Sequence, residues 1–114
     1  MTNNITSREE EVEKLFHSGA AKREAKQYEE SIADFTKALN INPNHIPSNM
    51  QITYSLSALG RNKETLPYAD KVIEIHPDWD TYEFRAAIKK SIGDLEGAEQ
   101  DYKIAWGIPK DGCI

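Results

Sequence analysis

A single cysteine, Cys113, stands in the 114 residues, so no internal disulfide framework can staple the fold. That usage fits the reducing cytoplasm, which is the expected location. Cys113 has no base beside it to make it reactive. No apolar run approaches the ~18 residues of a membrane span, so no membrane is expected as partner. The opening Met-Thr-Asn-Asn-Ile-Thr-Ser has neither the basic start nor the apolar stretch of a secretory signal. Asn4-Ile5-Thr6 spells a glycosylation acceptor, which without such a signal reads as chance. Basic residues are outnumbered 14 to 19, and a net charge of −5 would repel a phosphate backbone. Nucleic acid is therefore not an expected partner. Phosphate-cradling glycine loops and nucleophile elbows are missing as well. His17, His45 and His76 are isolated, none with a partner at metal-ligand spacing on one helix face. His76, beside Pro77, is expected to cap helix-end carbonyls instead. Asp78-Trp79-Asp80 lacks the glycine and the terminal glutamate of a calcium loop and reads as capping. These absences point away from an enzyme, a metal site or a cofactor.

What the chain has is helix. Ser7-Arg8-Glu9-Glu10 reads as a capping box, with Glu9 to Glu11 on the positive end of the helix dipole. Val12, Leu15, Phe16 and Gly19 then keep helical spacing to about Ala25. A second helix is predicted from about Glu29 to Ile41, with Ile32, Phe35, Ala38 and Leu39 on one stripe, and Pro43 stops it. The third starts near Pro47 and ends at Gly60. The fourth runs from about Lys63 to Ile75, where Pro67 implies an irregular first turn. Asp78 or Asp80 can cap a fifth helix ending at Gly93, and Asp94 a sixth ending at Trp106-Gly107. No stretch alternates with period two for long enough to argue a strand.

Six helices with short connections could form a bundle, but the sequence repeats. Shifts of 34 and then 33 residues superimpose Phe35 on Ala69 on Tyr102, Ala38 on Val72 on Ala105, and Ile41 on Ile75 on Ile108. Gly60 falls on Gly93, and Pro77 follows Pro43 by 34 residues. A helix-turn-helix unit at that period resembles the tetratricopeptide repeat. The first block carries the resemblance through Leu15, Ser18-Gly19, Ser31, Phe35 and Pro43, although Lys22 stands where an aromatic is usual. The third carries it through Tyr82, Ala86, Gly93-Asp94, Ala98 and Tyr102, with Pro109 one residue early. In the second block the first helix is weak (Asn49, Ile52, Thr53), but Glu64 to Pro77 is a strong second helix.

The resemblance implies an all-α fold: three helix-turn-helix hairpins, six helices, stacked as a short right-handed α-solenoid. The expected organisation is a flexible N-terminus over 1–7 and one domain over 8–109, with repeats at about 12–45, 46–78 and 79–109. A flexible tail over 110–114 completes it. Gly19, Thr53 and Ala86 are expected to be small because the helices of each unit approach closely there, against Ser31, Thr65 and Ala98. A lone hairpin cannot bury its apolar face, and stacking about three makes a continuous core.

The resemblance also implies a non-enzymatic module that binds a segment of another protein along the concave side. Its groove positions would be Phe16, Ala20, Arg23, Met50, Tyr54, Glu83, Ala87 and Lys90. Phe16, Met50 and Tyr54 form an apolar step, and Arg23 and Lys90 mark a basic edge. The lesser alternative is that Phe16 and Met50 merely fill gaps between first helices. One subset of the family grips the terminal carboxylate of chaperone tails with lysines, asparagines and an arginine. Those positions here hold Phe16, Ala20, Gln51, Asp80 and Phe84, which favours an apolar or internal segment as ligand. The alternative is a self-associating module. Ile32 and Leu66 become Glu99 in the third unit, but Leu39 and Ile73 become Trp106. An apolar patch of Tyr102, Trp106 and Ile108 thus persists at the end, which would serve a weak homodimer or a docking partner.

Overall fold

The computed structural model describes residues 6–109; the expected tails lie largely or wholly outside them. Six helices follow in order: α1 (Ser7–Glu24), α2 (Tyr28–Ile41), α3 (Ile46–Ala58), α4 (Leu66–Ile75), α5 (Trp79–Ser91) and α6 (Leu95–Trp106). No strand occurs among the described residues. A 3-10 turn, Asn62–Thr65, leads into α4 and lets Pro67 fall in its first turn, where the missing N–H has no helical partner to lose.

Local chemistry sets the ends of these helices. The box at the start of α1 lies one residue earlier than expected: Thr6, not Ser7, accepts the N–H of Glu9, whose side chain returns to the N–H of Thr6. From the first turn of α1, the Arg8 guanidinium donates to the carbonyl of Ile41 at 2.7 Å. Asp78 and Asp94 cap α5 and α6. Asn42 and His76, each preceding a proline, are extended and end α2 and α4.

All three within-repeat turns use one device. Lys26, Gly60 and Gly93 hold the left-handed backbone (φ 64°, 78° and 92°). The next N–H, of Gln27, Arg61 or Asp94, reaches back to the carbonyl of Lys22, Leu56 or Lys89. Glycine adopts that conformation freely, so Lys26 is the one turn residue held there against its own Cβ.

Packing is between neighbours only. No element of the α1–α2 hairpin touches α5 or α6, as a solenoid requires, and the domain measures 46 × 36 × 20 Å. The expected close-approach residues Gly19, Thr53, Ala86, Ser31, Thr65 and Ala98 are all buried. A Cβ on Gly19 would stand 2.8 Å from Cε1 of Phe35, which shows how near α1 and α2 come. Ser31 meets Ser55 of the next unit, hydroxyl to hydroxyl at 2.7 Å. Phe35, Ile52 and Leu56 make the core where the first two hairpins join, with Phe16, Ala20, Ile32, Leu39 and Tyr68 around them.

Buried charge follows the repeat in an unexpected way. In the first hairpin Asp34 accepts from Ser18 Oγ at 2.6 Å and pairs with Lys22 at 2.9 Å. At the same positions in the third, Asp101 takes a two-pronged bond from Arg85 (2.8 and 2.9 Å) and pairs with Lys89 at 3.1 Å. Arg85 also reaches Asp70 of α4 at 2.9 Å. In the middle hairpin those three positions are Ile52, Leu56 and Tyr68, and the pocket is apolar. Burial works to raise the pKa of both aspartates. The bonds from Ser18 and Lys22, and from Arg85 and Lys89, outweigh it, and both carboxyls lie below their ordinary value. The same bond to Asp101 raises Arg85 well above its own ordinary value. The chain thus alternates polar, apolar and polar hairpin interiors.

Candidate binding groove

The first helices of the units, α1, α3 and α5, each present one face to the same side. Across them runs a line of contacts: the Arg23 guanidinium lies 5.6 Å above the Tyr54 ring, and Tyr54 meets Phe84 edge-on at 6.0 Å. Tyr54 is nevertheless 45% exposed. Beside it opens a recess of about 230 Å³, lined by Thr53, Tyr54, Ser57, Phe84, Ala87, Ile88 and Ser91. Arg23 Nε and Gln51 Oε1 are buried with no hydrogen-bond partner.

The sequence-predicted groove positions divide between surface and seam. Tyr54 and Ala87 line the recess, and Arg23 lies over the Tyr54 ring. Phe16 turns into the join between hairpins, its ring 6.0 Å from Phe35 and 5.5 Å from His45, and Ala20 packs on the same core. Met50 and Glu83 are half-buried on α3 and α5. Lys90 stands on the rim of a different recess, against α6. Phe84, which the sequence reading named only as a position unfit to grip a carboxylate, also lines the recess. The signal was its helical spacing: Ala87 and Ile88, three and four residues on, share its face of α5.

Two histidines resolve into structural roles. His45 Nδ1 accepts the N–H of Ser48 at the start of α3, which leaves Nε2 to donate to Glu13 at 3.1 Å. Ser48, His45 and Glu13 line up like a nucleophile, base and orienting acid, but Ser48 is fully buried, so no substrate carbonyl can reach it. The expected cap by His76 is not formed: its ring is exposed and faces Asp78 at 3.6 Å. No group of three metal-ligating side chains occurs among the described residues. No helix of the described residues is long and apolar enough to cross a membrane.

At the far end Tyr102 and Trp106 stack, centroids 5.5 Å apart and planes 20° from parallel. Trp106 is 66% exposed and Leu95 65%, while Ile108 is half-buried. Tyr102, Trp106 and Leu95, but not Ile108, border a second recess of about 400 Å³, lined also by Lys90, Ala98, Glu99 and Lys103.

This geometry has relatives. The tetratricopeptide repeat family model matches residues 15–45. No curated protein sequence matches the chain. Among solved structures, the first tetratricopeptide domain of Spaghetti (RPAP3), bound to the HSP90 peptide SRMEEVD, is similar at 17% identity. Its TM-score is 0.77 over 91% of this chain and 82% of that one. PcrH, in complex with the chaperone binding region of PopD, is similar at 17% identity and TM-score 0.75, covering 92% and 78%. MamA from Desulfovibrio magneticus RS-1 is similar at 23% identity and TM-score 0.73; 82% of this chain covers only 54% of that one, about half its length. One unit is matched in sequence by the tetratricopeptide repeat model, and the six-helix fold is similar to tetratricopeptide repeat structures along most of the chain.

Proposed function

We propose that the chain is a non-enzymatic protein-interaction module that holds a segment of a partner protein against α1, α3 and α5. The observation that carries this reading is Tyr54. An aromatic ring braced by Arg23 and Phe84, yet nearly half exposed over an open recess, is placed for a ligand rather than for the core. Structures of the same fold hold an HSP90 peptide and a region of PopD, which supports a peptide as the occupant. The ligand differs from a chaperone tail, because Phe16, Ala20, Gln51, Asp80 and Phe84 offer no basic fork to a terminal carboxylate. An internal segment bearing one bulky apolar side chain suits the recess between Tyr54 and Phe84.

Selection from a displayed random-peptide library tests this. Enriched peptides should share one large apolar residue and bind equally with a free or an amidated C-terminus. Tyr54→Ala should weaken them about tenfold or more, with the far-ultraviolet spectrum unchanged. Binding that ignores Tyr54→Ala, or that needs the free carboxylate, refutes the reading.

A further inference from the structure

The outer face of α6 repeats, position for position, a face that seats a helix inside the chain. On α2, Ile32, Phe35 and Leu39 surround the close-approach residue Ser31 and receive α3. The same positions on α6 are Glu99, Tyr102, Trp106 and Ala98, and they line the recess of about 400 Å³. The face is therefore shaped for a helix. Within the described residues none lies on it, and Trp106 and Leu95 remain two-thirds exposed.

Which helix fits can be decided from charge and shape. α3 enters its seat with Ser48, Ile52, Ser55 and Leu56, all buried. The same positions on α1 are Lys14, Ser18, Ala21 and Lys22, which bring no large apolar side chain to Tyr102 and Trp106. Head-to-tail stacking of copies is thus disfavoured. α6 itself is self-complementary. Glu99 and Lys103 stand one turn apart, bracketed by Leu95 and Trp106. Laid antiparallel on a second α6 about a two-fold axis beside residues 100 and 101, Leu95 covers the other copy's Trp106. Glu99 then falls between the other copy's Tyr102 and Lys103, and every contact occurs twice.

We propose that this face closes an isologous homodimer through antiparallel pairing of α6 with α6. This surface is separate from the groove, so its failure and the failure of the groove reading are distinguishable. A helix of 12 residues is about 18 Å long. The interface is accordingly small and the dimer weak, with a dissociation constant on the order of 0.1 mM.

Sedimentation velocity from about 10 μM to about 1 mM tests it. The mass should climb from 12.9 kDa toward twice that value. Trp106→Glu, and independently Leu95→Glu, should hold the chain monomeric throughout, with helicity unchanged because both side chains are exposed. Glu99→Lys and Lys103→Glu should each weaken the dimer about tenfold, and the two combined should restore it, since reversal of both signs keeps the pairing complementary. A wild type that stays monomeric at about 1 mM overturns the proposal, as does a dimer indifferent to Trp106→Glu. Failure of the charge-swapped double variant to recover overturns the antiparallel geometry.

Discussion

Asp101→Ala probes the polar interior of the third hairpin directly. Asp101 is 2% exposed and receives three charge-assisted contacts from Arg85 and Lys89. Removing one member of a fully buried pair costs about 3–5 kcal/mol, because the other charge is stranded. Here the stranded cations are not wholly buried: Arg85 is one-fifth exposed and keeps Asp70, and Lys89 can turn outward. We therefore expect about 2–3 kcal/mol, a fall of about 1–2 M in the urea midpoint by circular dichroism. The companion variant combines Arg85→Ile, Lys89→Leu and Asp101→Tyr and installs the residues that the middle hairpin carries at these positions. It should lie within about 1 kcal/mol of wild type or above it, since a buried ion pair gains little over well-packed apolar groups. The acid limb supplies a sign. A carboxyl whose folded pKa is depressed contributes stability above its unfolded value of about 3.9 and loses it as pH falls through the folded value. Wild type should thus lose stability steeply below about pH 4, and the companion variant less so, with Asp34 still contributing. A change under about 0.5 kcal/mol for Asp101→Ala would show the carboxylate to be effectively solvated and refute the reasoning.

Two further outcomes follow from local geometry. Lys26→Gly should stabilise the domain by about 0.5–1 kcal/mol in the same titration: it relieves a left-handed backbone that Gly60 and Gly93 already occupy, less the entropy glycine adds to the unfolded chain. Thr6→Ala should cost about 1 kcal/mol, whereas Ser7→Ala should fall within a few tenths, because the cap sits at Thr6.

Most of the fold was legible because its signals are local. Pro43 and Pro77 stop helices through the residue before them, and the stripe through Ile32, Phe35 and Leu39 needs only helical period. The cap was ambiguous: Thr6 and Ser7 are each followed three residues later by glutamate, so two overlapping boxes read alike. The polar interiors were legible in principle, since Asp34 and Lys22 recur as Asp101 and Lys89 across two repeat shifts. The middle unit hid them, because it solves the same packing problem with Ile52, Leu56 and Tyr68. The groove was harder. Whether Phe16 faces a ligand or a seam depends on His45 and Phe35, far along the chain, and no spacing rule decides between them.

The alternation of hairpin interiors also bears on the order in which the chain folds. Each outer hairpin satisfies its buried charges from within, Asp34 by Lys22 and Asp101 by Arg85, over loops short enough to close early. The middle hairpin has no such internal lock; Ile52 and Leu56 are buried only when Phe35 is already in place. The outer hairpins can thus order their polar interiors locally, whereas the apolar centre needs its neighbour present before it is buried. For a nascent chain, the opening hairpin can close its own polar contacts on emerging, but Phe35 is covered only once the hairpin behind it supplies Ile52 and Leu56.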